Sequence, residues 1–344
     1  MLSHTVPRCL LDQFAYDDPV TKSRRLWQYA KGRAPWGFAS PSSATRVEHH
    51  FEDPSDPVRE EKLEERLNRE IENPVHRFLP LLRYSDTFPL QRHYVRHLTR
   101  YITLLFNRSQ NRKDGTREQV QILIDSMQAL FANDAKLSQV AAHWTIRMIQ
   151  RGFAPEEAIV SVELVRERIS EAIEEMKTEQ HIKTTYVDSM ERALAYFDQR
   201  LANGAWKIIP TTISNPFIIG DAPVVTWVRR SNGILDYGLG FERPDVEVLL
   251  PVCPTACLHI LPEVQRTRGA YIPTAREVNE AQASFSTEYC YANTDDPALD
   301  QIVQPHLGTR KIGINAFSVR HRNYEDTIFE LLMSDARKFQ APKR

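Results

Sequence analysis

A few stretches of this chain carry residue types whose spacing could support chemistry. Ser214 to Val225 reads SNPFIIGDAPVV and sets one carboxylate, Asp221, between two apolar runs. Read locally, Gly220-Asp221-Ala222-Pro223 is a hairpin corner, where Asp often bonds its own backbone. Whether Asp221 is also aimed at a distant partner is the first question. His93 and His97 stand one helical turn apart, a spacing that can chelate a metal from one helix face. A zinc-protease helix places Glu directly after its first His, and here that residue is Tyr94. Arg92, Arg96 and Arg100 share the segment at spacings of four, and close guanidinium groups disfavour a divalent cation. A basic face that is solvated or contacts anions fits better. It continues through Arg108 and Arg112, whose forks suit phosphate or carboxylate.

Two acidic positions complement that face. In KLEERLNREIENP, Glu64 follows Leu63 and Glu72 follows Ile71. On an ideal helix they lie about 80° apart, two turns along, so they meet a common partner only if another element covers that side. Residues 48–72 hold ten acidic and four basic side chains, and residues 83–113 hold seven basic and one acidic. Salt bridges between the two segments are the first reading, and phosphate contacts to RNA or DNA the other. Cys253 and Cys257 are separated by three residues without a second pair to complete a zinc site, so they read as buried small hydrophobes. Tyr237-Gly-Leu-Gly240 is a lone G-x-G and reads as a hairpin. G-x-S-x-G and G-x-x-x-x-G-K-[ST] are absent, which disfavours lipase-like hydrolases and P-loop NTPases.

Composition bounds the rest. The 344 residues are 42% hydrophobic and 26% charged, with a net charge of -1. That is ordinary for a folded chain and excludes electrostatic nucleic-acid binding by the molecule as a whole. Four scattered cysteines argue against a disulfide framework and for a reducing compartment. The N-terminus lacks signal-peptide organisation, and no apolar run reaches membrane-spanning length. A cytoplasmic location without membrane attachment is the expectation.

The elements that must position these residues can be placed from periodicity. RRLWQYAKG suggests a strand, and ASPSSATRVEHHFEDPSDP a loop around a short extended piece. From Asp56 the period becomes helical: Leu63, Leu67 and Ile71 recur every four residues until Asn73-Pro74, which should bend or end the helix. Further helices are expected from Pro89 and over about 117–131, 134–151, 155–180 and 184–202, with Gly115 as one of the breaks. After Gly204, WKIIP, NPFIIG, PVVTWV, VEVLLPV and ACLHIL read as strands. TAREVNEAQASFS then reads helical, TEYCYAN extended and YEDTIFELLMSDARKF helical. Segregated helices and strands predict an α+β fold. The expectation is one continuous domain over 1–344, with an N-terminal extended segment (1–55), a helical region (56–203) and an antiparallel-rich α+β region (204–344), the N-terminal strand joining the last.

Several blocks together resemble a bacterial family. His4-Thr-Val-Pro7 with Leu10, Leu11 and Phe14 resembles an opening of the form His-x-x-Pro-x-x-x-Leu-x-x-Phe. Leu63-Glu64 and Ile71-Glu72, the basic turn at Arg108, SNPFIIGDAPVV, VEVLLPVCPTACL and VNEAQASFSTEYCYAN follow in that family's order. The family is the one known as domain of unknown function 4238. Ser109-Gln110 stands where its members commonly have Thr-Pro, and Ile219-Gly220 where they have Thr-Ser. The resemblance marks His4, Glu64, Glu72, Arg108 and Asp221 as one set. If they converge, His4, Glu72 and Asp221 could hold a divalent metal, with Glu64 as a further acid–base group and Arg108 as an anion clamp. That implies a metal-dependent hydrolase acting on a phosphodiester, nucleic acid or another anionic substrate, with Arg92, Arg96, Arg100 and Arg112 binding it. The other reading is a non-catalytic binding or regulatory protein in which the same residues form a structural polar network.

Overall fold

The computed structural model describes residues 2–30, 32, 37–48, 50, 56, 58–84, 92–195, 199–229, 235–238, 240–241, 243–262 and 271–310. The expected helix start at Pro89 and the expected helix over YEDTIFELLMSDARKF lie outside them. The described residues form two compact units, one built from those up to Gly115 and from Lys183 onward, the other from Thr116–Ile182. This division crosses the expected helical region 56–203, which contributes to both.

In the Thr116–Ile182 unit, Val120, Ile124 and Met127 recur at helical spacing on α5 (Gln110–Phe131), Leu137, Val140 and Trp144 on α6 (Asp134–Gln150), and Val165, Ile169 and Ile173 on α7 (Val162–Met176). Burial of these stripes against one another is what holds the helices. Asn133 and Ser161 cap α6 and α7 through their side chains. Ser161 is why α7 starts later than the expected 155. Gly115 does not break the chain: it lies buried inside α5, where the lost entropy costs about 1 kcal/mol and does not stop the helix.

The other unit contains the sheets and the remaining helices, and the fold is α+β as expected. Helix α1 (Arg8–Leu11) follows strand β1 (Leu2–His4), which pairs with β5 (Arg46–Glu48). Strands β2 (Tyr16–Asp17), β3 (Arg24–Ala30) and β4 (Gly37–Ala39) come between. Helix α2 (Arg59–Leu67) runs into a widened π turn (Asn68–Glu72) and then α3 (Asn73–His76). Pro74 thus bends the path without ending it. It sits in the first turn of α3, where its missing N–H is tolerated. Helix α4 (Arg92–Arg108) buries Leu98, Tyr101, Ile102 and Leu105. Helices α8 (Glu179–Ala195) and α9 (Gln199–Asn203) precede β6 (Ala205–Pro210), β7 (Ile219–Gly220), β8 (Val225–Arg229), β9 (Leu235–Tyr237), β10 (Glu247–Cys253) and β11 (Ala256–Leu261). Helix α10 (Ala275–Phe285), β12 (Tyr289–Ala292) and α11 (Pro297–His306) follow. The sequence reading had no helix at α11.

One antiparallel sheet has the order β6-β11-β10-β8-β9; another has β2-β3-β12-β7, with β4 beside β3. The N-terminal strand β3 therefore joins the C-terminal region, pairing Trp27 to Ala30 with Ala292 to Tyr289. The corner Gly220-Asp221-Ala222-Pro223 is not a hairpin, because β7 pairs with β12 while β8 pairs with β10 and β9. It hands the chain from one sheet to the other. Its flanks are buried throughout from Pro216 to Val228, as expected of strands covered on both faces.

Helix α10 fastens that corner. Ile218 donates its backbone N–H to Asn279 and Gly220 donates its own to Gln282, while the two amide groups donate to the carbonyls of Pro216 and Pro223. Backbone groups at the edge of β7 are thereby satisfied without another strand. Gly220 is needed for this approach, since a Cβ there would lie 1.9 Å from Ser286 Oγ. Gly220→Ala is therefore expected to cost about 2 kcal/mol in urea unfolding, within the usual range for overpacking. Adding Ser286→Gly should recover part of the loss, and full stability of the single variant would show that the two segments are not in contact.

Candidate cleft at the N-terminal segment

A cleft of about 650 Å³ lies between residues 4–12 and the helical stretch 61–76, with buried Arg108 among its lining. Four of the five marked residues line it: His4, Glu64, Glu72 and Arg108. Local folding explains their arrival. Leu63, Leu67 and Ile71 turn inward, so Glu64 and Glu72 flank the apolar stripe. The π turn lies between the two carboxylates and resets their relative angle from that of a regular helix. The C-terminal end of α4 then supplies the covering element that a shared partner requires.

That partner is Arg108, 2% exposed. Its Nη2 donates to both oxygens of Glu64, at 2.8 and 3.0 Å, and its Nη1 donates to Glu72 Oε1. Both carboxylates thus bind one guanidinium, and most of its positive charge is compensated inside the protein. Burial still pushes the Glu72 carboxyl above the usual range, against the opposing pull of Arg108. Glu72 Oε2 receives no hydrogen bond from the described residues. His50 Nε2 lies 2.8 Å from the Arg108 carbonyl oxygen, which can only accept, and 2.9 Å from the Tyr186 hydroxyl. Burial holds His50 down at about 3, so the ring is neutral, and Lys113 donates to its backbone carbonyl. These contacts fix the end of α4 that carries Arg108.

His4 is half-buried, with Nδ1 3.2 Å from the Ala44 carbonyl oxygen. Since that oxygen only accepts, Nδ1 carries the proton and Nε2 is left as an acceptor. Burial lowers the His4 pKa, which keeps the ring neutral. Cys9, also on the wall, contacts the Tyr101 hydroxyl; burial, with Glu72 nearby, pushes its thiol up to about 11. Cys9, Asp12, Glu61, Glu65, Asn68, Asn73 and His76 are lining residues that sequence reasoning missed. The acidic density of 48–72 was the available signal for Glu61 and Glu65.

Asp221 does not join this set. It is absent from the cleft lining, and its carboxylate accepts backbone N–H groups from Thr287 (2.7 Å), Glu288 (2.8 Å) and Tyr289 (3.0 Å). Buried backbone donors need acceptors, and Asp221 supplies them at the turn from α10 into β12. The expected metal set of His4, Glu72 and Asp221 is therefore not assembled. Among the described residues no three His, Cys, Asp or Glu side chains are grouped to hold a metal, so no third such ligand joins His93 and His97.

The expected substrate-binding arginines are elsewhere too, and none of them lines the cleft. Arg92 and Arg96 are exposed on α4, Arg100 is bridged to Glu70 at 3.8 Å, and Arg112 is half-buried on α5. Arg108 and Arg100 thus realise the salt-bridge reading of the two oppositely charged segments. Cys253 and Cys257 are buried, as expected of small hydrophobes in a β region. Buried Glu247 accepts from Trp227 Nε1 and lies 3.0 Å from His259 Nε2 within one sheet, a network outside the cleft.

The cleft carries five carboxylates (Asp12, Glu61, Glu64, Glu65 and Glu72) against two guanidiniums, those of Arg8 and Arg108. Arg8 is itself bridged to Asp12 at 3.5 Å. Such a surface repels anions and presents acceptors.

A family model described as Protein of unknown function (DUF4238) matches residues 3–296, agreeing with the motif order in the sequence. No curated protein and no solved structure matches the chain. No described helix is long and apolar enough to cross a membrane.

Proposed function

Because the chain belongs to the family described as Protein of unknown function (DUF4238), whose description names no activity, we propose its role from the cleft: it is a binding or regulatory protein that takes a small polar molecule between its N-terminal segment and α2. The observation that carries this reading is the convergence of His4, Glu64, Glu72 and Arg108 on one cleft of about 650 Å³, a size suited to a small molecule. Arg108 serves there as the frame that holds two carboxylates, and Asp221 belongs to a separate structural lock. Neither role matches what a metal-dependent phosphodiesterase or nuclease would ask of these residues. Four free cysteines, three of them buried, support a reducing, cytoplasmic setting.

Cys9 provides the test. It is the half-buried cysteine and lines the cleft, whereas Cys253, Cys257 and Cys290 are buried. Iodoacetamide should alkylate Cys9 in the native protein and reach the other three only on unfolding. With the Cys9 thiol held at about 11, the rate should climb about tenfold per pH unit below that value, following the thiolate fraction. Native Cys9 as inert as the other three even at about pH 10, where its thiolate is populated and the protein is still folded, would mean that the cleft is closed and the reading wrong.

A further inference from the structure

We infer that the ligand of this cleft is an organic cation, an amine or guanidinium compound. The inference rests on the cleft being a ligand site and adds the class of molecule. Hydrogen-bond accounting carries it. The Arg108 guanidinium is committed to Glu64 and Glu72, so it offers little to an incoming anion. Left over are acceptors. Glu72 Oε2 has no partner among the described residues, although the Glu72 side chain is only 17% exposed. His4 Nε2 is in the same position, because Nδ1 holds the proton and faces Ala44. Glu61 adds a carboxylate, and Asp12 and Glu65, bridged to Arg8 and Arg69, add two more that are partly engaged. A mostly buried carboxylate with one unpaired oxygen, in a cleft that is also lined by an imidazole with a free acceptor nitrogen, calls for a group rich in N–H donors.

Charge selects among donors. Five carboxylates against two guanidiniums favour a cation over a neutral donor and repel phosphates and nucleic acids. Geometry selects among cations. No three metal-type side chains are grouped for a bare metal ion among the described residues, whereas the cleft volume suits a small organic molecule. The chain already shows the chemistry in miniature, since Glu64 and Glu72 receive a guanidinium, that of Arg108.

Titration calorimetry of the full chain with agmatine, putrescine, 1,4-butanediol and inorganic phosphate tests this. Agmatine and putrescine should bind, the diol and phosphate should not, and the affinity should fall as salt is raised. A Glu61→Gln/Glu65→Gln variant changes two exposed side chains, so it should fold normally, as its unfolding temperature would show, and lose affinity for both amines severalfold. Phosphate binding, or silence from both cations, overturns the inference. Alkylation of native Cys9 is scored in the same samples: if it proceeds, the cleft stands and only the cation class falls, and if it fails, the cleft reading has failed first.

Discussion

Asp221→Ala is expected to lower the unfolding free energy by about 3 kcal/mol or more, since each stranded buried donor costs roughly 1–3 kcal/mol. The three donors are the backbone N–H groups of Thr287, Glu288 and Tyr289. Asp221→Asn keeps one carbonyl oxygen but turns an N–H₂ toward backbone donors, so it should fall between wild type and Ala. The deficit should also depend on pH. Burial pushes the Asp221 carboxyl up to about 6, against the three N–H bonds that favour the anion. A folded-state pKa above the unfolded value of about 3.9 adds a proton-linked part to the loss from the stranded donors, fully present below about pH 4 and lost as pH rises through 6. Urea midpoints of wild type and Asp221→Ala should therefore be furthest apart on the acid side of that window. The variant should retain Cys9 reactivity under conditions where it is folded. A variant as stable as wild type would remove Asp221 from the lock between β7, α10 and β12.

Arg108→Met should have an effect of similar size. It deprives Glu64 and Glu72 of their common partner, and breaking a buried pair by removing one partner typically costs about 3–5 kcal/mol. The side chains left behind are not fully enclosed, so acid should relieve part of the loss. Glu72 is already raised by burial with Arg108 present, and without the guanidinium it rises further. Its folded pKa then lies above the unfolded one, so the deficit shrinks on acidification and grows as pH increases. Arg108→Lys restores one charge but not the fork, and should recover only part of the stability. Arg108→Met with unchanged stability at neutral pH would show that the triad contributes nothing to the fold.

Much of the fold was legible because burial imposes a period. Leu63, Leu67 and Ile71 announced α2, and the short Val- and Ile-rich runs bounded by Pro and Gly announced β6, β8, β10 and β11. Gly115 misled because a glycine inside a helix is a tolerable cost and not a stop signal. The GDAP corner misled because a turn's local chemistry is the same whether its two strands pair with each other or with different sheets. The site was legible in part. His4, Glu64, Glu72 and Arg108 came out together through the order of family blocks, and they do share a cleft. Asp221 came out of the same blocks but plays a different role. Its partners are backbone N–H groups more than sixty residues away, which leave no side-chain signature. Its relation to VNEAQASFS runs through Asn279 and Gln282, whose amides read the backbone of the very segment that raised the question. Cys9 and Asp12 were hidden because α1 is a single turn, too short to show a periodic face.

The most direct test of a donor-seeking cleft is a crystal structure of the chain soaked with agmatine. The expected result is density for the cation inside the cleft, with a nitrogen at Glu72 Oε2 and Arg108 still held by both carboxylates. Density for it only outside the cleft, or a guanidinium of Arg108 that swings away from Glu64 and Glu72 to meet an anion, would contradict the account.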